Sequence, residues 1–390
     1  MFLYILCLLA LSTVMSQNPN WFGPMRIINQ AVWVFGIAIL ALHFNKRKFP
    51  YKFLIIFILT YIWFYLFRYI CASLGFRSSD GVNLFTLVPA LLTYIAGLYI
   101  SAGISDRQMN ICMKFYIVIV ALLSIAVYRQ FVGSISAYLD STSYVYGPKN
   151  SLTQFIFTAV LLYLSMKHRK WWLHLSALVL LGIGMILQCR SSVVAFAVAL
   201  AACYWKKKSV RRIILAALIA GGITLAVSPV ARDIAVKALS LNRITDMDKF
   251  SSGRLTLFRQ AYDNFLNHPL TGTFFMVDNF FIFYISVFGI MGGTPIICLW
   301  LLRAWRNYVF YRNTDEKKDD FRMFEALFSI SVFFMVIAMF EGGGPFVPGA
   351  PKFALWILCG YADARYFQRK AAFAGTDKIT YVYKNGEKIC

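Results

Sequence analysis

Arg190 and Arg254 are the residues of this chain best placed to hold an anion. Arg190 follows the end of one apolar run, precedes Ser191-Ser192 and begins the next run. Its guanidinium therefore sits where the free backbone N–H groups and the dipole of a helix start already favour negative charge. Arg254 repeats the design: it follows Ser251-Ser252-Gly253, a cap-like sequence, and falls in the first turn of a predicted helix. There a guanidinium and a helix start could hold one phosphate group together. Arg259 lies five positions further on, about 140° around the helix at about 100° per residue, so the two arginines would grip different parts of a ligand. Arg68 and Arg129 also stand at ends of apolar runs. A charge there costs about 2.5 to 3.5 kcal/mol at membrane depth, which calls either for a ligand or for snorkelling to the interface.

Chemistry beside a bound anion needs a group that takes a proton. Four residues of the same region qualify: Asp278, His268, Asp263 and, if the turns converge, Glu341. Asp278-Asn279 introduces an apolar run, where it is an ordinary N-cap pair or a carboxylate held at a helix mouth. His268 precedes Pro269 and is either a base or a turn residue. Asp263 falls on the polar side of its predicted helix, so Asp278 ranks first and His268 second. Glu341-Gly342-Gly343-Gly344-Pro345 forms a further turn whose glycines permit a close approach of ligand to backbone.

The elements that must position these groups are membrane helices. Hydrophobic residues make up 59% of the 390 positions and charged residues only 14%, against about 25% charged in soluble domains. Soluble, disordered and fibrous classes are excluded, because no soluble fold of this size has interior enough for so much apolar surface. Twelve runs approach the length a bilayer requires: Phe2 to Met15, Ile27 to Phe44, Phe53 to Cys71, Leu84 to Ala102, Met109 to Phe131, Ser151 to Met166, Trp171 to Leu187, Ser191 to Trp205, Ile213 to Ser228, Phe280 to Leu302, Met323 to Phe340 and Phe353 to Phe367. The fold class predicted is an all-α, polytopic membrane protein of about twelve helices.

The net charge of +22 reads as topology, not as a nucleic-acid surface, since the basic residues cluster between apolar runs. With both termini in the cytoplasm, 26 of the 39 Lys and Arg fall inside, including Lys46 to Lys48, Lys206 to Lys208, Arg211 and Arg212. The chain then divides into residues 1–228 with nine helices, a loop at 229–279 outside, residues 280–367 with three helices, and a cytoplasmic tail at 368–390. The first run is short and followed by Ser16 to Asn20, as a cleaved leader would be, but lacks a basic flank and is read as a retained helix. In the outer loop Leu255, Phe258, Tyr262, Phe265 and Leu266 recur at helical spacing opposite Thr256, Arg259, Asp263 and Asn267. That predicts an amphipathic helix on the outer surface, ending at His268-Pro269.

Other chemistries find little support. The eight cysteines contain no CxxC pair, which argues against a zinc site and a disulfide framework. There is no Walker A loop, no GxSxG and no His-rich cluster. Asp246-Met247-Asp248 matches a metal-binding DxD, but a match of three residues carries almost no information.

Cys189-Arg190-Ser191-Ser192 opening an apolar run, Ser252-Gly253-Arg254 before an amphipathic helix, His268-Pro269-Leu270-Thr271-Gly272, Asp278-Asn279 and Phe288-Gly289-Ile290-Met291-Gly292 follow one another in an order that resembles the bacterial O-antigen polymerases and O-antigen ligases. Tyr146-Gly147-Pro148-Lys149-Asn150 is similar to another turn of that family. The resemblance implies a GT-C type glycosyltransferase of the bacterial inner membrane, whose donor is an oligosaccharide on undecaprenyl pyrophosphate and which needs no cofactor and no metal. On that footing Arg190, Arg254, Arg259 and Arg129, with Asn279, bind the pyrophosphate and glycan, and Asp278 or His268 deprotonates the acceptor. Ligases commonly carry His-Asn where this chain has Asp278-Asn279, a departure that favours a polymerase of O-antigen, capsule or exopolysaccharide. A chain-length regulator protein is then the expected partner. The alternatives are a ligase that passes lipid-linked glycan to an acceptor, and a precursor flippase. Flippases usually place ionisable groups near the bilayer midplane, whereas these helix centres are nearly uncharged.

Overall fold

The computed structural model describes residues 1–17, 22–42, 51–75, 87–131, 149–187, 189–204, 229, 253–273, 275–313, 322–347 and 350–384. Among them every regular element is helical: α1 (Phe2–Met15), α2 (Phe22–Leu42), α3 (Tyr51–Ser73), α4 (Val88–Ile100), α5 (Asp106–Phe131), α6 (Lys149–Leu164), α7 (Trp171–Ile186), α8 (Arg190–Tyr204), α9 (Arg254–Asn267), α10 (Phe280–Asn313), α11 (Met323–Ala338), a 3₁₀ turn at Ala350–Lys352 and α12 (Phe353–Lys384). Eleven of these helices coincide with predicted apolar runs, and α9 coincides with the predicted amphipathic helix. The remaining run, Ile213 to Ser228, lies outside the described residues, as do the basic clusters at 46–48 and 206–212, Asp246-Met247-Asp248, Tyr146 to Pro148 and Ser251-Ser252.

Among the described residues four helices are long and apolar enough to cross a membrane: Gly23–Leu42, Tyr51–Ser73, Asp106–Arg129 and Phe280–Asn313. Shorter apolar helices accompany them, among them Phe2–Met15, Val88–Ile100, Trp171–Ile186 and Met323–Ala338. α4 begins at Val88 with Pro89, which has no N–H to give, in its first turn, and the predicted run's first residues, 84–86, lie outside the described residues. The prediction of the last helix ended too early, since α12 continues through the polar sequence to Lys384.

α6 is buried on every side from Ser151 to Leu162, as is the first half of α12, which marks these two as the centre of the bundle. Large apolar side chains on α2, α3 and α7 point outward instead, Val34, Phe35, Leu59, Tyr69 and Leu178 among them, as a lipid-facing surface requires. α12 runs against α4 at a glycine crossing: a Cβ on Gly97 would overlap the Ile357 carbonyl, and one on Gly360 the Tyr94 carbonyl.

Hydrogen bonds gather the described helices at two places in the bundle. Asn150 with Cys189, Thr153 with Ser192, Gln154 with Glu341 and Asn279 with Met339 join ends that the threading puts on one side. Ser165 with Arg322, Tyr163 with His174 and Asp106 with Tyr361 join ends that it puts on the other. Near this second end lies a buried charge network. Asp363 accepts from Tyr94 Oη at 2.5 Å, Arg303 Nη1 at 2.8 Å and Arg306 Nη2 at 3.1 Å, and Arg303 also holds Asn307. One carboxylate thus ties α4, α10 and α12 together.

α10 is broken at Gly289, whose φ of 64° and ψ of −173° suit only glycine. The segment after α9 docks into the break: Pro269 O accepts from Ile290 N at 2.9 Å and Leu270 O from Met291 N at 3.3 Å. These bonds satisfy two N–H groups that a restarting helix leaves free. Pro295 cannot donate to the Met291 carbonyl, and the Trp63 indole does so instead at 2.9 Å.

Candidate functional site

Three chain segments meet at the end of the bundle that carries α9. Gly253, with φ of 79°, is the N-cap of α9 and supplies no side-chain cap. The following residue, Arg254, turns its guanidinium across to the turn after α11: Nη2 donates to Phe340 O at 3.3 Å and the group lies 6.0 Å from the Phe340 ring centre. Asp278 Oδ2 is 4.0 Å from the same Nη2, with side chains 29% and 70% exposed. At that distance and exposure the pair is a weak one. Asn279 caps α10, accepting from Ile282 N at 3.0 Å, and its Nδ2 donates to Met339 O at 3.0 Å. The cap role expected of the Asp278-Asn279 pair therefore belongs to Asn279, which leaves the Asp278 carboxylate in solvent.

Beneath this surface lies an arrangement that sequence reading missed. Gln154, fully buried on α6, donates through Nε2 to Glu341 Oε2 at 2.6 Å. Its Oε1 accepts from Lys352 Nζ at 2.5 Å, and Lys352 also donates to Val347 O at 3.1 Å. Lys352 is fully buried on the 3₁₀ turn just before α12. Burial pulls its ammonium down to about 8, against the opposing pull of the Glu341 charge. A lone Gln and a lone Lys beside apolar runs were the available signal. Their partners were not readable, because Gln154 is 187 positions from Glu341 and 198 from Lys352. Two buried polar atoms at this spot, Arg254 Nε and Glu341 Oε1, have no hydrogen-bond partner among the described residues.

The predicted residues divide accordingly. Arg254, Asp278, Asn279 and Glu341 are brought together. Arg190, the first residue of α8, joins the same end, because Ser192 bonds Thr153 at 3.0 Å while the adjacent Gln154 bonds Glu341. His268 does not: it caps the C-terminus of the 14-residue α9, about 20 Å along the axis from Arg254. Arg259 is exposed on α9 and Arg129 is exposed in the last turn of α5. Arg68 is buried, with Phe64 and Phe288 rings at 6.0 and 5.8 Å, so it does not snorkel.

Two local expectations change. The room beside the glycines after Glu341 is taken by the protein itself, since a Cβ on Gly342 would lie 2.7 Å from Val277 O and one on Gly344 2.6 Å from the Phe280 ring. α9 packs inward through Ala261 and leaves Leu255, Tyr262 and Leu266 exposed as a stripe. The small residue allows a close approach to α10, and the large apolar ones remain for a membrane interface. No family model matches the chain, and no curated protein matches it.

Proposed function

We propose that this chain is a membrane glycosyltransferase that joins oligosaccharide repeats carried on undecaprenyl pyrophosphate, an O-antigen or capsular polysaccharide polymerase working at the outer face of the bacterial inner membrane. The observation that supports this reading is Arg254 itself. It is a cation at the start of an amphipathic helix whose apolar stripe is exposed, paired only weakly with Asp278, and it shares one end of an apolar bundle with Arg190 and two carboxylates. A lipid-linked diphosphate matches that setting. Its chain lies in the bilayer, its charge meets the arginines at headgroup depth, and the growing negative charge of the leaving diphosphate is stabilised as the glycosidic carbon is attacked.

A strain lacking the protein tests the reading. Loss of a polymerase leaves single repeats on the cell surface. Unchanged long polymer would contradict the proposal, as would lipid-linked polymer, the mark of a missing ligase, or precursor trapped inside, the mark of a missing flippase.

A further inference from the structure

We infer that Glu341, not Asp278, receives the proton of the acceptor sugar hydroxyl, and that Arg254 Nε donates to the oxygen of that same hydroxyl. The inference rests on the polymerase reading and names the group that completes it.

The geometry carries it. Arg254 donates through Nη2 to the carbonyl of Phe340, the residue joined to Glu341, and Arg254 Nε and Glu341 Oε1 are both buried without a partner among the described residues. One is a donor and the other an acceptor, and neither bonds the other. A hydroxyl has one proton to give and lone pairs to accept with, so it is the kind of group that answers a donor and an acceptor together. A phosphate cannot, because like the carboxylate it only accepts at this pH. Buried polar atoms without partners are costly, which makes the pair a place where ligand binding is favoured.

Glu341 is also held for the task. It follows the C-terminus of α11 and is joined through the Gln154 carboxamide to the buried Lys352. The bond with Gln154 fixes Oε2 and leaves Oε1 as the free acceptor. Asp278 has no such support and its side chain is 70% exposed. Arg254 itself is held only weakly by Asp278, at 4.0 Å.

In the step itself the hydroxyl oxygen forms the new bond to the anomeric carbon, and the bond from that carbon to the phosphate oxygen breaks with its electron pair. Undecaprenyl pyrophosphate leaves as the anion, and the hydroxyl proton passes to Glu341, which returns it to water.

The test is steady-state polymerisation by the purified full-length protein on lipid-linked repeats. Glu341→Gln keeps an acceptor oxygen for the Gln154 bond but cannot take a proton. It should lower kcat about a hundredfold or more with donor KM near the wild-type value and unchanged thermal stability, while Asp278→Asn loses less than tenfold. Should Glu341→Gln prove unstable, Glu341→Ala assayed with added formate serves instead, and formate should restore part of the turnover. A stable Glu341→Gln with kcat near wild type would overturn this inference alone, showing that Oε1 holds only a structural water. So would an Ala variant that formate leaves inactive. Wild-type protein that joins no repeats would overturn the polymerase reading and this inference with it.

Discussion

Gln154 and Glu341 are joined by a 2.6 Å hydrogen bond across 187 positions of the chain. It ties the centre of the bundle to the turn that faces Arg254. Because Lys352 Nζ donates to the other end of the same carboxamide, the three side chains behave as one charge-balanced unit.

The first prediction concerns Lys352. Its folded pKa of about 8 lies below the ordinary lysine value, which the unfolded chain keeps at about 10.4. Between these values the unfolded state binds more protons, so stability rises with pH, by about 3 kcal/mol in total, and the gain is lost as pH falls through 8. Thermal unfolding in detergent between pH 7 and 11 should show this rise in the wild type and not in Lys352→Met. Equal pH slopes in the two proteins would count against it.

The second concerns the break in α10. Gly289→Ala places a Cβ against the Leu270 carbonyl at a backbone conformation that only glycine tolerates. It should cost about 2 kcal/mol or more and free the segment from His268 to Phe275, seen as new protease sensitivity there. A variant as resistant as wild type would mean that the docking is not needed to hold the fold.

The third is a coupling. Trp63→Phe removes the donor that serves the Met291 carbonyl and should cost about 1 kcal/mol. Pro295→Ala returns a helix N–H to that carbonyl, so the Trp63→Phe cost should shrink in its presence. Additive effects in the double-mutant cycle would disprove the exchange.

The fourth is Asp363→Asn, which leaves Arg303 and Arg306 without their shared carboxylate in a buried setting. The loss should be about 3 to 5 kcal/mol, read as a drop in folded yield and melting temperature. Stability within about 1 kcal/mol of wild type would show that the network contributes little.

Hydropathy made the helices legible, because lipid-facing and buried surfaces are both apolar and the runs end where charges appear. It also located α9, since Leu255, Tyr262 and Leu266 share one side with helical spacing. It could not locate the break at Gly289, because an apolar run reads the same whether its helix is straight or broken. In the site, Arg254, Asp278 and Asn279 were visible as polar residues at predicted helix starts. Gln154 and Lys352 were not, because their roles depend on bonds spanning half the chain. His268 looked close to Arg254 in sequence, but a helix of 14 residues holds its ends apart.

The role proposed for Arg254 is to hold the diphosphate of a lipid-linked glycan. Wild-type and Arg254→Ala protein reconstituted in liposomes with undecaprenyl-pyrophosphate-linked repeats should differ in donor KM by about ten- to a hundredfold, with Arg254→Lys between them. A polymer ladder formed by Arg254→Ala at the wild-type donor KM, or no ladder from the wild type, would contradict the account.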